Sequence, residues 1–229
     1  EADEAAFAKA RQTYEREITV PYSWVCPLSG VEQNVAGTGW YRRKADFEHS
    51  GRLFICFGAV DYRADVYING VHAGAHQGGY SYFELEITDL WHAGDNTVEV
   101  RAEDYRRETQ LYGKQGYGDI QGIWQTVWLE ERPQQYIRDW RVTTRIDGTV
   151  NLTVMAEAAD GSEVSACFDG RRWTAAVQGG VAELTLRIES PKLWSPDSPY
   201  LYEGTLCLGS DEVSTYFGIR EIASVNYDG

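Results

Sequence analysis

Leu53-Phe54-Ile55-Cys56-Phe57-Gly58-Ala59-Val60-Asp61-Tyr62-Arg63-Ala64-Asp65-Val66-Tyr67-Ile68-Asn69-Gly70 holds the two signals that decide the fold class of this chain. The stretch from Leu53 to Phe57 is an unbroken apolar run stopped by Gly58, as expected of a strand buried on both faces. Ala64 to Ile68 then leads into Asn69-Gly70, the strongest short hairpin signal, because both residues tolerate positive φ. Downstream, Phe83, Leu85 and Ile87 alternate with Glu84 and Glu86, and Val98, Val100 and Ala102 alternate with Glu99, Arg101 and Glu103. Period-two alternation gives each segment one wet face and one core face. The first part of the chain therefore reads as all-β.

A second series of strands begins beyond Pro133 and the polar Gln134-Gln135, which mark a domain boundary near residues 131–136. It runs through Trp140 and Val142, the turn Asp147-Gly148, and the alternating Val150, Leu152, Val154 and Ala156. Further strands are expected around 164–168, 173–177, 184–188, 201–208 and 213–217. Short strands in this number, with turn signals every 8 to 12 residues or so, are the pattern of an immunoglobulin-like sandwich. Residues 1–17 are Ala-rich and charged, and one helix is expected there.

The 229 residues are 43% hydrophobic and 13% aromatic, enough for packed cores in two domains. With 21 basic and 35 acidic residues the formal charge is −14, which repels polyphosphate and anionic membrane surfaces, so neither nucleic acid nor a membrane is expected as a partner. No stretch approaches the roughly 18 to 20 apolar residues that span a bilayer, and the N-terminus lacks a signal-peptide pattern. Cys26, Cys56, Cys167 and Cys207 show no CxxC spacing, so free thiols are expected, the habit of a cytoplasmic protein. The sole methionine is Met155, and the native N-terminus is expected upstream of Glu1. His49, His72, His76 and His92 are scattered and make no metal-binding spacing, and no cofactor is expected.

One segment breaks the rhythm. From Asp104 to Gln121 there is no alternation, but there are three tyrosines, Tyr105, Tyr112 and Tyr117. Long loops in compact domains are usually functional or disordered, and aromatics argue for order.

Read together, Ile18-Thr19-Val20-Pro21-Tyr22-Ser23-Trp24, Gly39-Trp40-Tyr41-Arg42-Arg43, the stretch from Phe57 to Gly70, His76-Gln77-Gly78-Gly79-Tyr80, Gly94-Asp95-Asn96 and Gly122-Ile123-Trp124-Gln125-Thr126-Val127-Trp128-Leu129-Glu130 resemble the N-terminal jelly roll of family 2 glycoside hydrolases. That domain occurs in bacterial β-galactosidases, β-glucuronidases and β-mannosidases. Leu193-Trp194-Ser195-Pro196-Asp197-Ser198-Pro199-Tyr200-Leu201-Tyr202 resembles the family's second domain, and Tyr216-Phe217-Gly218-Ile219-Arg220 resembles the stretch leading into its catalytic (β/α)8 barrel. The resemblance, over about residues 18–222, implies a galactose-binding-like jelly-roll β-sandwich at 1–133 and an immunoglobulin-like β-sandwich at 134–222. It further implies that residues 223–229 begin a linker to a barrel. A barrel needs on the order of 250 residues, so none fits in this chain.

The family's two catalytic carboxylates sit on barrel strands, so no catalytic residue is expected here. The resemblance aligns Asp61 with a polar residue that reaches from the jelly roll into the active site of β-galactosidase, where a carboxylate accepts hydrogen bonds from sugar hydroxyls. The other reading is a strand-end Asp bonded to its own turn. Lys114, Gln115 and Asp119 lie in the long segment, which in the family approaches the barrel mouth. There Lys and Gln would donate and Asp would accept, unless they are solvated or touch the barrel instead.

Trp124, Trp128, Trp140 and Trp173 fall in strand patterns and are expected in cores or domain contacts, whereas Tyr80, Tyr82, Tyr112 and Tyr117 are candidates for an exposed patch. Three functions remain open at this point. One is the accessory N-terminal portion of a β-glycosidase, with the enzyme's carbohydrate substrate and its own barrel as partners. The others are a free-standing carbohydrate-binding module and a structural or homo-oligomerisation domain.

Overall fold

The computed structural model describes residues 14–34, 37–105 and 120–222. The chain divides into two compact units, Glu1–Glu131 and Arg132–Gly229. Both are built of strands, with two single-turn 3-10 helices among the described residues. Residues 14–17 are irregular, and the remainder of the expected N-terminal helix lies outside the described residues.

The first unit contains β1 (Gly37–Ala45), β2 (Arg52–Phe57), β3 (Val60–Asp61), β4 (Arg63–Ile68), β5 (Val71–Gln77), β6 (Phe83–Glu86), β7 (Asn96–Asp104), β8 (Gly122–Ile123) and β9 (Val127–Arg132). They form a four-stranded sheet in the order β1-β7-β4-β5, a three-stranded sheet β6-β2-β9 and a short pair β3-β8. The alternation read in the sequence sets the faces. Leu53, Ile55 and Phe57 of β2 meet Ala64, Val66 and Ile68 of β4 and Val100 and Ala102 of β7 in one core. Phe57 stacks on Phe83 with ring centroids 4.7 Å apart. Burying each such large side chain stabilises the fold by roughly 1.5–3 kcal/mol.

The Asn69-Gly70 reversal does more than turn the chain. Asn69 takes φ 51° and Gly70 φ 83°, and the Asn69 amide donates to Leu90 O and to Asn96 Oδ1 while its oxygen accepts from Thr97 N. Asn96 is fully buried. It also accepts from His92 N and donates to His92 O and Gly94 O. Two motifs that are far apart in sequence thus form one hydrogen-bonded knot at the end of the four-stranded sheet.

The second unit contains β10 (Tyr136–Thr144), β11 (Thr149–Glu157), β12 (Glu163–Phe168), β13 (Arg171–Ala176), β14 (Val181–Arg187), β15 (Tyr202–Leu208) and β16 (Asp211–Phe217). A three-stranded sheet β10-β11-β14 and a four-stranded sheet β13-β12-β15-β16 enclose Leu152, Val154, Phe168, Leu186, Leu206 and Phe217. The fold is all-β, and each unit is a sandwich. Cys26, Cys56, Cys167 and Cys207 are thiols rather than disulfides, with Cys56 buried and the other three half-buried.

Candidate functional site

Asp61 ends the two-residue strand β3 and pairs with Gly122 of β8. Its place depends on three separate stretches of chain. From the β5–β6 connection, Gly79 presses its Cα against the carboxylate, since a Cβ there would stand 2.5 Å from Asp61 Oδ1. Trp124 fixes Gly79 by donating Nε1–H to its carbonyl at 2.7 Å. At the other flank, Tyr62 N donates to Glu103 O at 3.0 Å and Gly78 N donates to Tyr62 O at 2.8 Å.

The β8 stem is anchored from the N-terminal segment. Gln121 N donates to Ser23 Oγ, Trp24 N donates to Gln121 O, and Ile123 N donates to Tyr41 Oη. Trp24 Nε1 also donates to that hydroxyl, and burial pushes the phenol up to about 12, so it stays protonated. Gly122 sits between them at φ 73°.

Burial, followed by the negative charge of nearby Asp104, raises the Asp61 carboxyl from 3.8 to about 6. Asp104 is 6% exposed at the end of β7. Residues 104 and 122 bracket the undescribed residues 106–119, so both stems of that segment stand beside Asp61. Lys114, Gln115 and Asp119 themselves lie outside the described residues, as do Tyr112 and Tyr117. A cavity of about 420 Å³ against β1 and one of about 640 Å³ in the second unit are not lined by Asp61. Asp61 is half-buried.

The raised value has a measurable sign. Between about pH 4 and pH 6 the folded chain holds a proton at Asp61 that the unfolded chain has released, so this group makes stability fall as pH rises through that window. Asp61→Asn is expected to remove that slope. Urea midpoints of the variant should gain on the native chain between pH 4 and pH 7, and parallel profiles would count against the shift.

Beside Asp61, Tyr80 and Trp124 meet edge to face at 5.5 Å, and Tyr80 is 71% exposed. Sequence reasoning anticipated the exposure of Tyr80 and Tyr82 and expected Trp128 in a core or a domain contact. Trp128 faces outward from β9 and is 38% exposed, because Val127 and Leu129 take the core face. Period two alone contained that signal. The Gly79 and Asp104 contacts carried no local signal at all.

Residues 8–133 match the family model "Glycosyl hydrolases family 2, sugar binding domain", and residues 135–220 match "Glycosyl hydrolases family 2". A β-glucuronidase of Bacteroides fragilis is 28% identical across 90% of this chain, which covers 34% of that protein. A β-galactosidase of Thermoanaerobacter pseudethanolicus is 28% identical across 75% of the chain and 26% of its own length. The solved β-glucuronidase of an uncultured Clostridium sp. superposes with a TM-score of 0.72 over 96% of this chain and 42% of that one, and at 23% identity shows the same fold. The chain spans about a third or less of these curated relatives.

Proposed function

Because the chain belongs to the family 2 glycosyl hydrolases by its sugar binding domain and the domain that follows it, we propose that it is the non-catalytic N-terminal portion of a retaining β-glycosidase. In this reading it supports the active site and forms part of its wall. The observation that carries the reading is the half-buried Asp61 carboxylate, held between Gly79 and Gly122 and ionised at neutral pH. Such a group accepts hydrogen bonds from sugar hydroxyls and orients a ring without breaking its glycosidic bond. Retaining hydrolysis needs two carboxyls about 5–5.5 Å apart, both against the substrate. Asp104, the acid that acts on Asp61, is sealed from solvent at 6% exposure, so a glycosidic bond does not reach it. Lys114, Gln115 and Asp119 belong to the segment whose stems flank Asp61, and in this reading they meet the same sugar or the edge of the barrel.

The test has two arms. The chain alone should not hydrolyse nitrophenyl β-glycosides, and turnover by pure material would refute the non-catalytic role. In the full-length enzyme, Asp61→Ala should lower kcat/KM by about ten- to a hundredfold, the worth of a charged hydrogen bond, mainly through KM. Unchanged kinetics would remove Asp61 from the site.

A further inference from the structure

Asn69-Gly70 is the one Asn-Gly step in the sequence, and it is the step most open to a chemical change that needs no enzyme. Glycine leaves its amide nitrogen unshielded by a side chain, so that nitrogen can attack the side-chain amide carbon of the asparagine before it. The bond from the Gly70 nitrogen to Asn69 Cγ forms, the Cγ–Nδ2 bond breaks, and Nδ2 takes up the proton of the Gly70 nitrogen and leaves as ammonia. Water then opens the cyclic imide at either carbonyl, giving aspartate or isoaspartate at 69. Both residues are exposed at the tip of the β4–β5 hairpin, where water and base reach them.

The folded chain clamps that amide. Nδ2 donates to Leu90 O at 2.9 Å and to Asn96 Oδ1 at 2.8 Å, and Oδ1 accepts from Thr97 N at 2.8 Å. The backbone N–H of Asn69 also donates to Thr97 O at 2.8 Å. Loss of Nδ2 as ammonia breaks two of these bonds, and rotation of the amide toward Gly70 breaks the one to Thr97 N. The second unit holds the same turn without the clamp. Asp169 and Gly170, at φ 51° and 69°, close β12–β13 with Phe168 opposite Arg171, just as Asn69 and Gly70, at φ 51° and 83°, close β4–β5 with Ile68 opposite Val71. Asp169 is exposed, and among the described residues no hydrogen bond holds its carboxylate.

We propose that Asn69 is a site of spontaneous modification gated by the Asn69–Asn96 knot, and that passing the gate is irreversible. While the knot is closed the asparagine is spared, and each local opening exposes it to Gly70. In the aspartate product a carboxylate oxygen stands where Nδ2 donated, so it faces Leu90 O and Asn96 Oδ1, acceptor against acceptor. Turning the Asn96 amide to meet it would give up the bonds of Asn96 to His92 N, His92 O and Gly94 O. In the isoaspartate product the main chain runs through the former side-chain carbon, which lengthens a two-residue turn that Ile68 and Val71 hold in register. Modification thus follows opening at this end of the four-stranded sheet and keeps the knot from closing again.

Peptide mapping by mass spectrometry, after incubation of the full chain at mildly alkaline pH either folded or unfolded in guanidinium chloride, reads deamidation at 69 and isomerisation at 169 in one sample. Folding should slow conversion of Asn69 by about tenfold or more, as the clamp's several hydrogen bonds require, and that of Asp169 by less than about threefold. Asn96→Ala should raise the rate at 69 in the folded chain by about fivefold or more and leave 169 unchanged. Should that variant not fold, low guanidinium concentrations on the native chain replace it, and the rate at 69 should climb before the far-ultraviolet circular dichroism falls. Equal rates at 69 in folded and unfolded chains overturn the gate. So does equal protection at 69 and 169, which assigns the protection to the turn, or a rate at 69 that rises only with global unfolding, which assigns it to the whole fold. Asn69→Asp, made directly, should lower the urea midpoint of the first unit, and an unchanged midpoint overturns the irreversibility.

Discussion

Gly122→Ala is expected to destabilise the first unit by about 4 kcal/mol or more, through overpacking added to a left-handed backbone that a Cβ resists. The added carbon would lie 2.2 Å from Tyr41 Oη and 2.3 Å from Trp24 Nε1, two buried groups hydrogen-bonded to each other. Gly70→Ala is the matched control. Its φ of 83° is similar and nothing lies within 4 Å of its Cβ, so only the backbone penalty of about 1 kcal/mol should appear. Urea unfolding of both variants separates the terms. Equal losses would mean that the Trp24–Tyr41 pair is looser than its geometry indicates.

Asn96→Ala should cost about 3 to 5 kcal/mol, because truncation removes four hydrogen bonds of a fully buried side chain at once. Asn69 Nδ2, His92 N and the carbonyls of His92 and Gly94 all lose their counterpart. Thermal unfolding followed by circular dichroism measures the loss. A cost below about 1 kcal/mol, the worth of a single ordinary hydrogen bond, would show that water takes over the knot.

The fold was legible where local chemistry repeats. Asn69-Gly70, Asp147-Gly148 and the alternating runs around Leu85, Val100 and Leu152 dictate turns and faces from neighbours in sequence, and the structure follows them. Leu53–Phe57 was legible only in part. An unbroken apolar run says that both faces are buried, but not what covers the second face, on which Phe54 and Cys56 are 4% and 0% exposed.

The surroundings of Asp61 were less legible. β3 and β8 are two residues each, too short to show a period, and their pairing joins positions 61 and 122. Gly79 and Asp104 reach Asp61 from two further stretches of chain. A carboxyl pushed up to about 6 by such neighbours is a tertiary property that has no counterpart in composition. Resemblance pointed to Asp61, whereas residues 106–119 with Lys114, Gln115 and Asp119 lie beyond what the structure describes.

The bracing of the β8 stem by Ser23, Trp24 and Tyr41 has a mechanical consequence. A post bolted to the frame does not lean on what hangs from it. Gly122, and through its pairing the acid at 61, is stationed by contacts with residues 23, 24 and 41.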